Sequence, residues 1–273
     1  MMTARILGVG LLGPGLTGWQ DGGEILAGRR PLELQEVVPP PPEGLSSRER
    51  RRTSPAVRLA LAVAKEAVKA SAIDPRTLPS VFAWAHGDGT VVQRILKVLA
   101  TSERYVSPTE FHNSVHNVAV GYWTIAAGSH EPSSSLAAAR DTVPAGLLKA
   151  LAQVRREQRP LLLAVCDSPF PEPLNSACRV GAPFGFALVL APESHGAGVA
   201  RVTAGYHAAV HGAVNGTART GDERPGIAAL HELWERNAAA RALPLLERLA
   251  RRETARLQLS YGNRGRVELG LAP

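Results

Sequence analysis

The sequence is poor in cysteine and in aromatic residues. It has two cysteines, Cys166 and Cys178, in 273 residues, which excludes a disulfide scaffold and a four-cysteine zinc site. Both thiols are compatible with a reducing cytoplasm, where we expect the protein to act. Aromatic residues make up 5% of the chain, too few for the interleaved basic and aromatic pattern of nucleic-acid readers. We therefore expect no nucleic-acid partner.

Long apolar runs are also missing. No stretch reaches the roughly 18 apolar residues that a membrane span requires. Gly8, Gly10 and Gly13 interrupt the apolar N-terminus, so we interpret Met1 to Leu16 as a strand and a turn rather than a signal peptide. Hydrophobic residues are 45% and charged residues 20%, which is ordinary for a globular protein.

Positive charge exceeds negative charge. Lys and Arg number 31 against 24 for Asp and Glu, a formal net charge of +7 that favours acidic partners. Pro39 to Pro42 predict an extended backbone and a surface loop that continues to Arg52. The candidate contacts for an acidic protein on this loop are Arg48, Arg50, Arg51 and Arg52.

Gly8, Gly10 and Gly13 match the dinucleotide-binding pattern G-x-G-x-x-G. Pro14 removes a backbone donor where a phosphate would need one, and no second strand ending in an acid follows. We favour a tight turn from strand to helix, and a nucleotide-binding reductase remains an alternative.

Periodicity predicts alternating helices and strands. Ser54 and Pro55 are typical of a helix start. Apolar runs without alternation predict strands that are covered on both faces, as in α/β layering. The runs are Val81 to Ala85, Leu161 to Val165 and Gly185 to Leu190. Two helices, within 227–237 and 239–252, precede a hairpin that turns around residues 262–265.

Two groups of polar residues are candidates for a catalytic site or a metal site. Ser133, Ser134 and Ser135 would serve an acyltransferase or esterase, but they lie on an extended run and no G-x-S-x-G surrounds them. His112 and His116 have the spacing of metal ligands on a helix, but no third ligand is evident. We expect no metal and no cofactor, and an enzyme with another nucleophile remains an alternative.

Several segments resemble the N-terminal half of the β-ketoacyl synthases. They are Ile6–Gly15, Ile25–Arg29, Leu59–Ala67, Ser107–Phe111, Ser114–Asn117, Gly121–Gly128 and Gly185–Leu190. The resemblance covers roughly residues 4 to 192. It implies an α/β, thiolase-like layered fold that is truncated, with a short α+β C-terminal extension. We expect a ketosynthase-like domain over residues 1–195, with an extension of helices and a hairpin, residues 196–273, packed on it.

The resemblance also implies a cysteine nucleophile where the extended run meets a buried helix. Counting from Pro132, the matching position is Arg140, and a shift of one residue makes it Ala139 or Asp141. None of these side chains can form a thioester. The resemblance therefore implies that the nucleophile position is vacant and that the chain has no independent activity.

A synthase relative without its nucleophile resembles the chain length factors of type II polyketide and aryl polyene clusters. Such a subunit pairs with a catalytic ketosynthase in a heterodimer and shapes the tunnel of the growing chain, in polyketide or fatty-acid-type elongation. The resemblance places Val118, Tyr122 and Trp123 at the tunnel or the interface. Acyl carrier proteins are acidic, so a carrier is a further candidate partner for the arginines of residues 48–52.

Overall fold

The computed structural model describes residues 1–208, 222–262 and 265–273. Its strands are β1 (Met2–Gly13), β2 (Leu16–Thr17), β3 (Ser80–Ala83), β4 (Ser133–Leu136), β5 (Leu161–Asp167), β6 (Phe184–Ala191), β7 (Ala200–Ala208), β8 (Ala255–Tyr261) and β9 (Gly265–Ala272). Its helices are α1 (Trp19–Leu26), α2 (Ser47–Arg52), α3 (Pro55–Ser71), α4 (Gly89–Leu99), α5 (Pro108–Asn113), α6 (Val118–Ala127), α7 (Thr142–Glu157), α8 (Leu174–Cys178), α9 (His231–Arg236) and α10 (Leu243–Arg251). None of the helices in these ranges combines the length and the apolarity of a bilayer span.

The strands form one mixed sheet in the order β4-β3-β5-β6-β1-β7-β9-β8, with β2 paired to β1. β3 runs parallel to both β4 and β5, and the other pairs along this order are antiparallel. The outer strands are β4 and β8. Because β7 pairs with β1 on one side and β9 on the other, the C-terminal strands extend the same sheet.

Helices cover both faces of the sheet. α1, α7 and α10 contribute to an apolar core on one face, and α3 and α6 to a second core on the other face. Every residue of β5 and β6 is buried. This confirms the prediction that apolar runs without alternation are strands between two layers.

The glycines of β1 let α3 lie directly on the sheet. A Cβ at Gly8 would lie 2.1 Å from the carbonyl oxygen of Ala67, and a Cβ at Gly10 would lie 2.0 Å from that of Val63. Both glycines are inside the strand, and the turn that leads towards α1 comes after Gly13. Their absent side chains serve the packing of helix on strand.

Capping residues set the start of two successive helices. Ser54 Oγ accepts a hydrogen bond from the Val57 amide at 3.1 Å, so α3 begins at Pro55 as predicted. The prediction of a loop through Arg52 is wrong, because residues 47–52 form helix α2. Ser46 and Glu49 make a reciprocal capping box that starts this short helix.

The C-terminal part of the chain contains the predicted helices and hairpin. The two helices are shorter than predicted, and each follows a single 3-10 turn. β8 and β9 pair along their length, from Ala255 opposite Leu271 to Tyr261 opposite Gly265. Residues 263–264, where the turn was predicted, lie outside the described residues. The division of the chain at residue 195 stays a prediction.

We expect Gly10→Ala to lower the free energy of unfolding by about 1–3 kcal/mol, because the new methyl group would push α3 off β1. Gly121→Ala is the matched control, since no atom lies within 4 Å of a Cβ there and Gly121 sits within helix α6. That change should be neutral or stabilise by about 0.4–1 kcal/mol. Urea unfolding of both variants measures the difference, and equal stabilities would contradict this packing.

Candidate functional site

A sharp turn joins the edge strand β4 to helix α7. Ala139 in this turn has a φ of 47°, a left-handed conformation that non-glycine residues rarely adopt. Strained residues at a strand-to-helix turn are typical of nucleophile positions. The strained residue is thus Ala139. The sequence analysis gave Arg140 as the nucleophile position, with Ala139 or Asp141 if the count is shifted by one residue.

The side chains beside this turn make structural contacts. Arg140 is exposed, and its Nη1 donates to the carbonyl oxygen of Glu235 at 2.8 Å. Asp141 accepts from the Gly262 amide at 2.7 Å. Thr142 Oγ1 donates to the Ala139 carbonyl at 2.7 Å. These bonds tie the start of α7 to the C-terminal part of the chain.

Neither sulfur lies at this turn. Cys166 is on β5 and fully enclosed, and burial raises the pKa of its thiol far above the ordinary value. Cys178 ends helix α8. A buried thiol with a raised pKa is a poor nucleophile because the thiolate is the reactive form.

Next to the turn, His86 and Asp167 form an acid–imidazole pair. His86 follows β3 and Asp167 ends β5. Both therefore lie at the carboxyl ends of the parallel strands, as does the turn between β4 and α7. His86 Nδ1 lies 3.3 Å from Asp167 Oδ2. The His86 side chain is 32% exposed, whereas that of Asp167 is fully buried. The Phe170 ring and the imidazole pack in a T-shaped arrangement, with their centroids 5.8 Å apart.

The two groups influence each other's ionisation. The hydrogen bond to Asp167 raises the pKa of His86 above its ordinary 6.5. Burial raises the pKa of the Asp167 carboxyl. His86 Nε2 makes no hydrogen bond to the described residues, so the oriented imidazole can exchange a proton there.

Asn237 connects this pair to the C-terminal segment. Its Nδ2 donates to the carbonyl oxygens of Asp167 and Ala182, at 3.2 and 2.8 Å. Glu235, two residues earlier, accepts the bond from Arg140. The segment 235–237 therefore spans the space between the β4 turn and the His86–Asp167 pair. Sequence reasoning missed this pair, because 81 residues separate its members.

The three residues expected at the tunnel or the interface are buried inside the chain. Val118 is 3% exposed, and Tyr122 and Trp123 are each 4% exposed. Tyr122 donates to Asn113 Oδ1 at 3.2 Å, and Trp123 packs against Phe82. They line the inner side of α6, so their role at a tunnel stays a prediction.

Exposed apolar side chains occur instead on the neighbouring segments. Sequence reasoning did not single them out, although five large apolar residues in and between the predicted elements of residues 96–115 were a usable signal. They are Leu96 (48% exposed), Leu99 (46%), Tyr105 (71%), Phe111 (69%) and Val115 (44%). The Arg94–Glu110 ion pair joins α4 to α5, so the apolar residues of these two helices lie on adjoining elements.

A hydrogen-bonded group anchors this region to the edge strand. His116 Nδ1 lies 2.9 Å from Ser135 Oγ, and its Nε2 lies 3.1 Å from the Trp84 carbonyl oxygen. The His116 carbonyl oxygen accepts from Trp84 Nε1 and Ser135 Oγ. These contacts place Val115 beside β4. The same contacts give Ser135 and His116 a structural role, which is to hold this region against β4.

The arginines of α2 flank the same region. Arg48, Arg50, Arg51 and Arg52 are all exposed. Asn113 of α5 donates to the carbonyl oxygen of Arg52 at 2.9 Å, so the basic helix adjoins α5. Basic and apolar surfaces therefore lie side by side.

His112 and His116 do not share a helix face, because α5 ends at Asn113. His112 contacts Asn113 Oδ1 rather than His116. Within residues 1–208, 222–262 and 265–273, no group of three or more His, Cys, Asp or Glu side chains could hold a metal ion.

We expect Asp167→Asn to lower the pKa of His86, because it removes the negative charge that favours the imidazolium. The stabilisation by this pair is complete below the ordinary histidine pKa, near 6.5, and is lost as pH rises through the raised value. NMR titration of the His86 ring measures the shift. Asp74→Asn is the control, since Asp74 contacts Arg76 and should leave His86 unchanged. An unchanged His86 titration in Asp167→Asn would contradict the contact.

Several solved structures share this fold. A chain of the complex of the ketosynthase ApeO with its chain length factor ApeC, from Xenorhabdus doucetiae, is 22% identical, with a TM-score of 0.71. The match covers 99% of this chain and 100% of that chain. A chain of the ishigamide ketosynthase/chain length factor is 14% identical, with a TM-score of 0.71, and the match covers 98% of this chain and 99% of that chain. A chain of a type II polyketide ketosynthase in complex with its acyl-carrier protein is 12% identical, with a TM-score of 0.73. That match covers 100% of this chain and 99% of that chain.

These likenesses establish the predicted thiolase-like α/β fold over the whole chain. A search of curated proteins found no sequence match. A family model described as the β-ketoacyl synthase N-terminal domain matches residues 29–243. The matched region is more than half of the sequence, and the chain therefore belongs to the β-ketoacyl synthase family.

Proposed function

We propose that this chain is a non-catalytic subunit of the chain length factor type, which pairs with a catalytic ketosynthase and shapes its acyl tunnel. One observation carries the proposal: Ala139 and Arg140 occupy the turn between β4 and α7, where a synthase relative would need a thiol. Two relatives of the same fold come from complexes of a ketosynthase with a chain length factor, and they have nearly the same extent as this chain.

The pairing surface that we infer is the edge surface, formed by the free edge of β4 with Leu96, Leu99, Phe111 and Val115. An unpaired strand edge offers backbone donors and acceptors to another chain. Exposed apolar residues clustered beside it are typical of a protein interface. Both features meet where His116 attaches the α5–α6 connection to Ser135.

Within the pair the subunit acts as a rigid wall. Each buried methylene of a growing chain gains about 0.8 kcal/mol, and a closed tunnel forfeits that gain for every added unit. Val118, Tyr122 and Trp123 are buried, so they would act on the tunnel by supporting α6 from inside. An acidic acyl carrier protein would meet the exposed arginines of α2, which adjoin α5.

Two finer assignments belong to this proposal. The ketosynthase-like domain would span residues 1–195, with residues 196–273 as an extension packed on it. The subunit would act in the cytoplasm in polyketide or aryl polyene synthesis, in keeping with two free thiols, Cys166 and Cys178.

The acyltransferase alternative has one supporting contact, the 2.9 Å approach of Ser135 Oγ to His116 Nδ1. The same hydroxyl also lies 2.9 Å from the His116 carbonyl oxygen, and His116 Nε2 faces the Trp84 carbonyl. A structural clamp accounts for all of these bonds. The reductase alternative has lost its support, since Gly8 and Gly10 pack against α3.

We expect Phe111→Arg to weaken pairing with the proposed catalytic ketosynthase partner by about 30-fold or more, because a charge would enter an apolar contact. Val38→Arg is the matched control, since Val38 is 75% exposed, close to the 69% of Phe111, but lies outside the edge surface. Co-expression followed by size-exclusion chromatography and native mass spectrometry measures the pair. Equal pairing of Phe111→Arg and the unaltered chain would remove the edge surface from the proposal.

We expect no stable acylation when the chain is incubated with a radiolabelled acyl-carrier thioester, because no thiol stands at the turn. Ala139→Cys should acquire a label faster than Arg140→Cys, since the start of α7 would lower the pKa of a thiol placed on the strained residue. Scintillation counting and peptide mapping measure the label. Acylation of the unaltered chain at Ser135 would instead favour the acyltransferase.

A further inference from the structure

An apolar groove of about 820 Å³ lies on the α3 face of the sheet. α3, the C-terminal half of α6, residues 72–75 and residues 40–44 line it, and it shares no residue with the edge surface. Its apolar side chains include Leu61, Val68, Ile73 and Trp123. This volume falls within the range of small-molecule sites, which are mostly apolar with a few polar groups.

The proline segment, residues 40–44, forms one wall of the groove and is held in place. Pro42 is buried, and Glu43 pairs with Lys65 of α3. Gly44 has a φ of 83°, and a Cβ there would lie 2.5 Å from the carbonyl oxygen of Ala126. The segment is therefore seated against α6 and α3, and the groove is a formed feature of the fold.

The charges that line the groove are satisfied within the protein, with one exception. Glu43 and Lys65 form an ion pair, and Asp74 pairs with Arg76. Glu66 accepts hydrogen bonds from the amides of Leu11 and Trp19.

Lys69 remains at the rim, and the described residues give its ammonium group no hydrogen bond or ion pair. In the wall, Trp123 is 4% exposed and its Nε1 has no acceptor among the described residues. The hydrogen bond from Lys65 lowers the pKa of Glu43, and the nearby charge of Lys69 lowers it further without forming an ion pair. The groove thus combines an apolar surface with donors and one lysine that has no ion pair among the described residues.

We propose that this groove binds an unbranched fatty carboxylate, with its hydrocarbon chain along α3 and α6 and its carboxylate at Lys69. The apolar lining of the groove suits a hydrocarbon chain, and the one lysine without an ion pair suits a single anionic head. A cationic or neutral amphiphile would leave Lys69 without a partner. The groove shares no residue with the edge surface, and it meets the proposed pairing function only at Trp123, which also supports α6.

Isothermal titration of the full chain with octanoate, decanoate and dodecanoate, below the concentration at which they form micelles, tests the site. Affinity should rise about fourfold for each added methylene. Lys69→Glu should weaken dodecanoate binding at least tenfold, and Ala62→Trp should do the same by filling the groove. Dodecyltrimethylammonium should bind at least tenfold more weakly than dodecanoate.

Matched controls lie on the exposed positions of α7. Lys149→Glu makes the same charge change, and Ala152→Trp makes the same increase in size. Both should leave binding unchanged. The exposed Lys69→Glu variant keeps the test valid if Ala62→Trp fails to fold. Absence of dodecanoate binding, equal binding of the cationic amphiphile, or equal losses in the variants and their controls would each overturn the proposal.

Discussion

Strands β4, β3 and β5 run parallel, and their carboxyl ends lie side by side at one end of the sheet. Ala83 lies opposite Leu136 on one side and Val165 on the other, so the segments that follow the three strands leave the sheet side by side. Ala139, His86 and Asp167 all lie on those segments. In α/β sheets, sites form beyond the carboxyl ends of the strands. This register is what brings the turn and the acid–imidazole pair to one place.

The C-terminal part of the chain packs against the segments that follow these three strands. Arg140 donates to Glu235, and Asn237 donates to Asp167, so one short segment holds both the turn and the acid. Ala139 and Arg140 lie on the turn between β4 and α7. A guanidinium bonded to a backbone carbonyl stabilises the turn and provides no nucleophile. This arrangement supports the proposal of a non-catalytic subunit.

Two different surfaces follow from the same layered packing. The β4 edge and the exposed residues of α4 and α5 form an open surface suited to another protein chain. The groove lies between α3, α6 and the proline segment, and Lys69 lies at its rim. The groove depends on α3, which lies close to β1 because Gly8 and Gly10 have no side chains.

Local sequence was sufficient for the elements whose cause is local. Unbroken apolar runs predicted β5 and β6, and the Ser54-Pro55 pair predicted the start of α3. The resemblance to the β-ketoacyl synthases, and no local pattern, implied a vacant nucleophile position at Arg140. The capping box of α2 was readable in the same way but was overlooked. Tertiary structure alone decided that Val118, Tyr122 and Trp123 face inward, and that His86 meets Asp167. Burial and pairing across 81 residues depend on how helices and strands pack, and no local pattern encodes that geometry.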